Sequence, residues 1–165
     1  MSPALDLGDL DRFTVGAEGP VGRRVFLVQC HSAEARITLK VEKQQVSALT
    51  GYLERLLSDL EVPDDVAEAP ALEDPTDPQW TIRTLGVTYD EGQDRIVLVA
   101  EELVAEGEDG DMARFTITPV QAASFALRAT SLIEAGRPPC PLCGGPLDPQ
   151  GHQCPRTNGH RPPIT

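Results

Sequence analysis

Arg36-Ile37-Thr38-Leu39-Lys40-Val41-Glu42, running on into Lys43-Gln44-Gln45-Val46, is the stretch that decides the fold. Ile37, Leu39 and Val41 fall on one face and Arg36, Thr38, Lys40 and Glu42 on the other, the period-two pattern of a half-buried strand. The period then changes. Val46, Leu49, Leu53, Leu56, Leu57 and Leu60 recur at three- and four-residue steps, which predicts a helix from about Lys43 to Leu60 with one apolar stripe. A strand that leads directly into such a helix gives the stripe a surface to bury: the sheet just made.

Before this junction, Arg24 to Cys30 is an apolar, β-branched run that reads as a central strand. Gly19-Pro20-Val21-Gly22 reads as a turn, Asp11 to Gly16 as a short strand, and residues 1–10 as a mobile acidic leader. After the helix, residues 59–78 hold eight acids, four prolines and no Lys or Arg, so the segment about 61–78 is expected to be an acidic flexible linker. An acidic docking peptide is the other reading of the same charges.

Strand patterns resume at Trp80, which is expected to anchor the second half of the chain to the core. Trp80 to Tyr89 is one strand, with Gly86 marking a bulge; Asp90-Glu91-Gly92-Gln93 is a hairpin turn; Arg95 to Leu103 and Met112 to Thr118 are two more strands. Thr118, Pro119 and Gln121 form a helix-start signature, so a second helix is predicted from Pro119 to about Ala135, stopped by Gly136. In both halves an alternating strand enters a glutamine-bearing helix start, which suggests a pseudo-duplicated strand-strand-helix unit. The fold class predicted is α+β, an antiparallel sheet with two helices packed on one face.

The chain has 165 residues and a net charge of -12, room for one ordinary domain and a small appendage. Such acidity disfavours nucleic-acid and membrane binding. The division expected is a body over 1–136 and a proline-rich, mildly basic tail over 137–165. Asp6, Asp9 and Asp11 stand where a secretory signal would be basic and apolar, so a cytoplasmic setting with reduced thiols is expected.

The tail carries Cys140-Pro141-Leu142-Cys143-Gly144-Gly145 and then Gly151-His152-Gln153-Cys154-Pro155. A Cys-x-x-Cys turn bounded by glycine lets two thiolates converge on one ion at about 2.3 Å. Cys154 supplies a third soft ligand, and either His152 or His160 supplies the fourth. Three thiolates and an imidazole favour Zn2+ over iron and close the shell, so the zinc expected is structural rather than catalytic.

Elsewhere the candidates are fewer. Glu42, Lys43, Gln44 and Gln45 lie at the strand–helix junction, and Arg23 and Arg24 could join Lys43 in a small anion site. Cys30 reads as a buried apolar side chain, and His31 has no nucleophile at a recognised spacing. No catalytic residues are assigned.

Asp11-Arg12-Phe13, Val41-Glu42-Lys43-Gln44-Gln45, Gly136-Arg137-Pro138-Pro139-Cys140-Pro141-Leu142-Cys143-Gly144 and Gly151-His152-Gln153-Cys154-Pro155-Arg156-Thr157-Asn158-Gly159 carry a resemblance. They resemble the actinobacterial domain-of-unknown-function 3090 family across nearly the whole chain. The resemblance implies no established activity. It implies gene neighbours that look like a histidine phosphatase and a lipid kinase, hence a shared pathway or complex. The family pattern often has an aromatic where this chain has His160, which favours Cys140, Cys143, His152 and Cys154 as the metal ligands. The function expected is a non-enzymatic, zinc-binding interaction or adaptor module with a protein partner. The alternative is an enzyme or accessory subunit acting on a phosphorylated small molecule.

Overall fold

The structure, a computed structural model, describes residues 4–20, 22–33 and 35–135. Along them run β1 (Ala4–Asp9), β2 (Arg12–Glu18), β3 (Val25–His31), β4 (Arg36–Val41), α1 (Lys43–Leu57), β5 (Trp80–Asp90), β6 (Arg95–Glu102), β7 (Met112–Ile117) and α2 (Pro119–Ala135). The class is α+β: one seven-stranded sheet in the order β1-β7-β6-β5-β4-β3-β2, with both helices packed against it.

The sheet is mixed rather than antiparallel. Within β2-β3-β4 and within β5-β6-β7 neighbours are antiparallel, but β5 runs parallel to β4 and β1 runs parallel to β7. Between β4 and β5 the chain passes through α1, and a helical crossover returns it to the starting end of the sheet, so the next strand lies parallel. The β4–β5 seam is short, pairing Leu39 with Trp80 and Lys40 with Thr81. Each three-stranded meander is followed by a helix.

Residues 4–9, expected within a mobile leader, form β1 on the free edge of β7. Leu7 and Leu10 are buried there. A register shift between Asp6 and Gly8, with Gly8 at φ 62°, breaks the alternation that would have announced a strand. Leu10 N–H then donates to Thr116 O on β7 (2.9 Å) and Asp11 N–H to His31 O on β3 (2.8 Å). One N-terminal segment thus serves both ends of the strand order, and the sheet curls until those ends meet. Phe13 on β2 lies 5.4 Å from Phe115 on β7 and stacks at 4.4 Å on Phe125 of α2. These three rings sit within the core, together with Leu39, Leu53, Leu98 and Ile117.

The bulge in β5 falls between Ile82 and Thr84, not at Gly86. Past it, Leu85, Val87 and Tyr89 pack against the core. Trp80, at the start of the strand, is partly buried against the same core, as expected. α2 begins as its sequence predicts: Thr118 Oγ1 accepts Gln121 N–H at 3.1 Å and Gln121 Oε1 accepts Thr118 N–H at 2.8 Å. α1 ends at Leu57, short of the predicted Leu60, with a turn at Ser58-Asp59.

Reading 61–78 as a flexible connector omits what this segment does. It straps the outer face of β2-β3-β4. Gln29 is fully buried and pairs both ways with Glu73, accepting its N–H at 2.8 Å and donating to its carbonyl at 2.9 Å. Thr14 donates to Pro70 O, Arg12 to Ala71 O, and Arg36 to Asp74 O. Ala69 N–H donates to Ser124 O of α2 at 3.0 Å, tying the start of the strap to the helix layer. Leu72 lies over Gly16, where a Cβ would collide with its side chain. Composition correctly indicates little apolar burial, but the hold comes from polar side chains satisfying the strap's backbone, which composition does not register.

A candidate anion-binding cleft at the start of α1

Val41, the last residue of β4, and Glu42 and Lys43, at the entry to α1, are three consecutive residues of one cleft of about 300 Å³. Opposite them lie Gly22, Arg24, Val25 and Phe26, at the entry to β3. The β3–β4 register fixes this: Leu27 opposes Lys40 and Phe26 opposes Val41, so Lys40 stands beside the start of β3. Gly22, at φ 90°, turns the chain into Arg24, a backbone conformation that glycine adopts without strain.

The result is a local reversal of sign. The chain has two lysines, and both line this cleft, with Arg24 as a third cation and Glu42 as the lining's one carboxylate. Arg24, Lys40 and Lys43 form no ion pair with a described residue. The Nε of Arg24 is buried and has no hydrogen-bond partner among the described residues. Lys43 opens α1, whose first N–H groups carry partial positive charge, and Gln45 Oε1 accepts the Glu42 N–H at 2.8 Å to fix that first turn. The arrangement suits an oxyanion: one arginine, two lysines and the first residues of a helix line one concavity.

Of the predicted anion group, Arg24 and Lys43 are brought together, while Arg23 is exposed and outside the lining. Gln44 is exposed and also outside it. Gln45 turns to β5, donating to Arg83 O at 2.9 Å. Lys40 was overlooked as a site residue. Its signal was available: lysines are rare here, and one of the two stands three residues from the other across a strand–helix junction.

A second charged cluster lies at the opposite end of the same three strands. Arg12, His31 and Arg36 surround Glu73 of the strap, with Arg12 Nη1 at 2.9 Å, His31 Nε2 at 3.8 Å and Arg36 Nη1 at 3.9 Å from its carboxylate. Burial lowers the His31 pKa from its ordinary value and the two arginines lower it further, against the pull of Glu73 and Asp11. Here the carboxylate of the chain itself occupies the socket, so the cluster latches the strap. Cys30 is fully buried on the core face, and desolvation pushes its thiol well above the usual range, as a non-nucleophile should be.

Among the described residues no group of three His, Cys, Asp or Glu side chains could hold a metal ion. The predicted ligands Cys140, Cys143, His152 and Cys154, and the alternative His160, lie outside the described residues. No helix among the described residues is long and apolar enough to cross a membrane.

Fold and cleft together define an α+β domain with a basic concavity on an acidic body. The chain belongs to the protein family of unknown function DUF3090, which matches residues 6–154 and so takes in both the body and the Cys140–Cys154 segment. No curated protein matches it.

Proposed function

We propose that this protein is a non-catalytic binding module that holds a phosphorylated small molecule in the cleft at the start of α1. The observation that carries the reading is that Arg24, Lys40 and Lys43, which form no ion pair among the described residues, line one cleft of a chain whose net charge is -12. Three cations line the cleft against one carboxylate, Glu42, and a bound anion would offset the excess positive charge. In the same reading the tail is a second functional part. Cys140, Cys143, His152 and Cys154 hold a structural zinc, and the stapled tail is presented to a protein partner. The ligand spacing within one short segment supports this.

Two measurements test the proposal. Titration with inorganic phosphate should shift the amide resonances of Gly22 to Val25 and of Lys40 to Gln44, and Lys40→Met/Lys43→Met should abolish the shifts. Unmoved resonances in the wild type would remove the ligand-binding part. Elemental analysis of freshly purified, reduced protein should find about one zinc per chain, lost on replacing Cys140 and Cys143 with Ser; a metal-free preparation would remove the tail's role.

A further inference from the structure

We infer that the groove between α1 and β5 is a peptide-docking site: an extended segment of a partner protein, apolar at alternate positions and acidic at its ends, adds there as a strand on the open margin of β5. This groove is a different concavity from the anion cleft, and the inference does not rest on anion binding.

The sheet leaves that margin open. β5 runs from Trp80 to Asp90, but β4 pairs only with Trp80 and Thr81 before the chain turns into α1. Gln45 of α1 stands in for the missing strand over the next step, donating to Arg83 O at 2.9 Å and to Ile82 O at 3.4 Å. From Thr84 to Tyr89, β6 is the one strand paired with β5 among the described residues. In an antiparallel pair alternate residues turn their N–H and C=O groups away from the partner, so this stretch offers a row of unpaired backbone groups on the side that β4 has left.

A margin that stays single is usually blunted by charge, proline or a bulge. β1, at one end of the strand order, has two aspartates and a register shift. Thr84-Leu85-Gly86-Val87-Thr88-Tyr89 has no charge and no proline, and the bulge in β5 precedes it.

Beside this margin Ala48, Leu49 and Tyr52 of α1 and Leu85 and Val87 of β5 line a cavity of about 510 Å³. A strand laid on the margin points every second side chain towards that apolar wall, and the backbone pairing favours a peptide over any other apolar ligand. Charge selects among peptides. Arg55 and Arg83 also line the cavity, and no carboxylate does. Arg83 is paired with Glu101 at 3.1 Å, whereas Arg55 is exposed and forms no ion pair with a described residue. A carboxylate near the end of the incoming strand supplies Arg55 with a partner.

The test uses the full chain, isotope-labelled for NMR, and the peptide acetyl-Glu-Val-Thr-Val-Thr-Val-Glu-amide. Its titration should shift the amide resonances of Gln45 to Arg55 and of Thr84 to Tyr89. It should also slow hydrogen exchange at alternate amides of Thr84 to Tyr89, as pairing of the margin requires. Replacing both glutamates of the peptide with lysine should weaken binding about 10-fold, the scale of one hydrogen bond to a charged group. Arg55→Glu should reverse the order of the two peptides; the wild-type comparison stands without this variant. Unmoved resonances with millimolar peptide of either charge overturn the inference. So do shifts without slowed exchange, which would mean docking by side chains alone, and equal affinity for the two peptides. Two further outcomes give the groove to another occupant and overturn it as well. Resonances of Thr84 to Tyr89 that move on dilution of the protein alone point to a second copy, and nuclear Overhauser contacts from the groove to residues 136–165 point to this chain's own tail.

Discussion

The side chain of Gln29 pairs with the backbone of Glu73 as a neighbouring strand would, accepting its N–H at 2.8 Å and donating to its carbonyl at 2.9 Å. Gln29 also donates to Thr38 Oγ1 at 3.1 Å and has no solvent exposure. A single amide thereby provides for the strap what a sheet edge would provide. Replacing it with Leu should leave both backbone groups of Glu73 unsatisfied and cost about 2–3 kcal/mol. Urea unfolding would register the loss. Amide exchange at Glu73 should accelerate to the rate of a solvent-exposed loop.

Glu73→Gln is expected to be milder. Its carboxylate is half-exposed and its one close partner is Arg12 at 2.9 Å, so the loss should be below about 1 kcal/mol and shrink further in high salt. A larger loss than that of Gln29→Leu would mean that charge, not backbone pairing, holds the strap.

His31 titrates below its ordinary value, chiefly through burial and then through Arg12 and Arg36. Because the folded state holds the proton less well than the unfolded state, stability is complete above the unfolded value of about 6.5. It is lost as pH falls from there through the lower folded value. His31→Gln should flatten stability across that window in pH-dependent unfolding. Glu73→Gln removes a charge that favours the imidazolium, so NMR titration should place His31 lower still.

Cys30 should resist thiol reagents in the native state, being fully buried with its thiol pushed far up. With metal stripped by a chelator, a chromogenic disulfide should label Cys140, Cys143 and Cys154 quickly and Cys30 only after denaturant. Equal labelling with and without chelator would argue against thiolate coordination in the tail.

Tyr89 donates to Asp94 at 2.6 Å, and this bond, with nearby acids, pushes its phenol up to about 12. Asp94→Ala should return its spectrophotometric titration towards the ordinary value near 10. Asp94 sits at φ 52° in the β5–β6 hairpin, so Asp94→Gly is the better control for backbone strain.

Much of this architecture was legible because it is written in periods. Alternation, apolar β-branched runs and turn signals located six strands, and three-and-four spacing located both helices, with Thr118 and Gln121 marking the start of α2 to the residue. What was illegible depends on partners distant in sequence. β1 is acidic, interrupted at Gly8, and defined by β7 about a hundred residues on. The parallel β4–β5 pairing leaves no local trace. The strap has the composition of a linker, and only the polar outer face of β2-β3-β4, with Thr14, Gln29 and Thr38 buried on it, hints at a covering segment. At the cleft, Arg24 and Lys43 were recognisable as candidates, but Lys40 reads as the solvent face of a strand until the fold places it in the same lining as Arg24.

The hand-over at Leu10, where one segment leaves β7 and joins β3, bears on how the protein is made. During synthesis β2 finds β3 early, whereas β1 must wait for Met112 to Thr116 to leave the ribosome. Until then the nascent chain trails an unfinished edge, with Leu7 and Leu10 uncovered, so β1, made before the strand it pairs with, is among the last elements to settle.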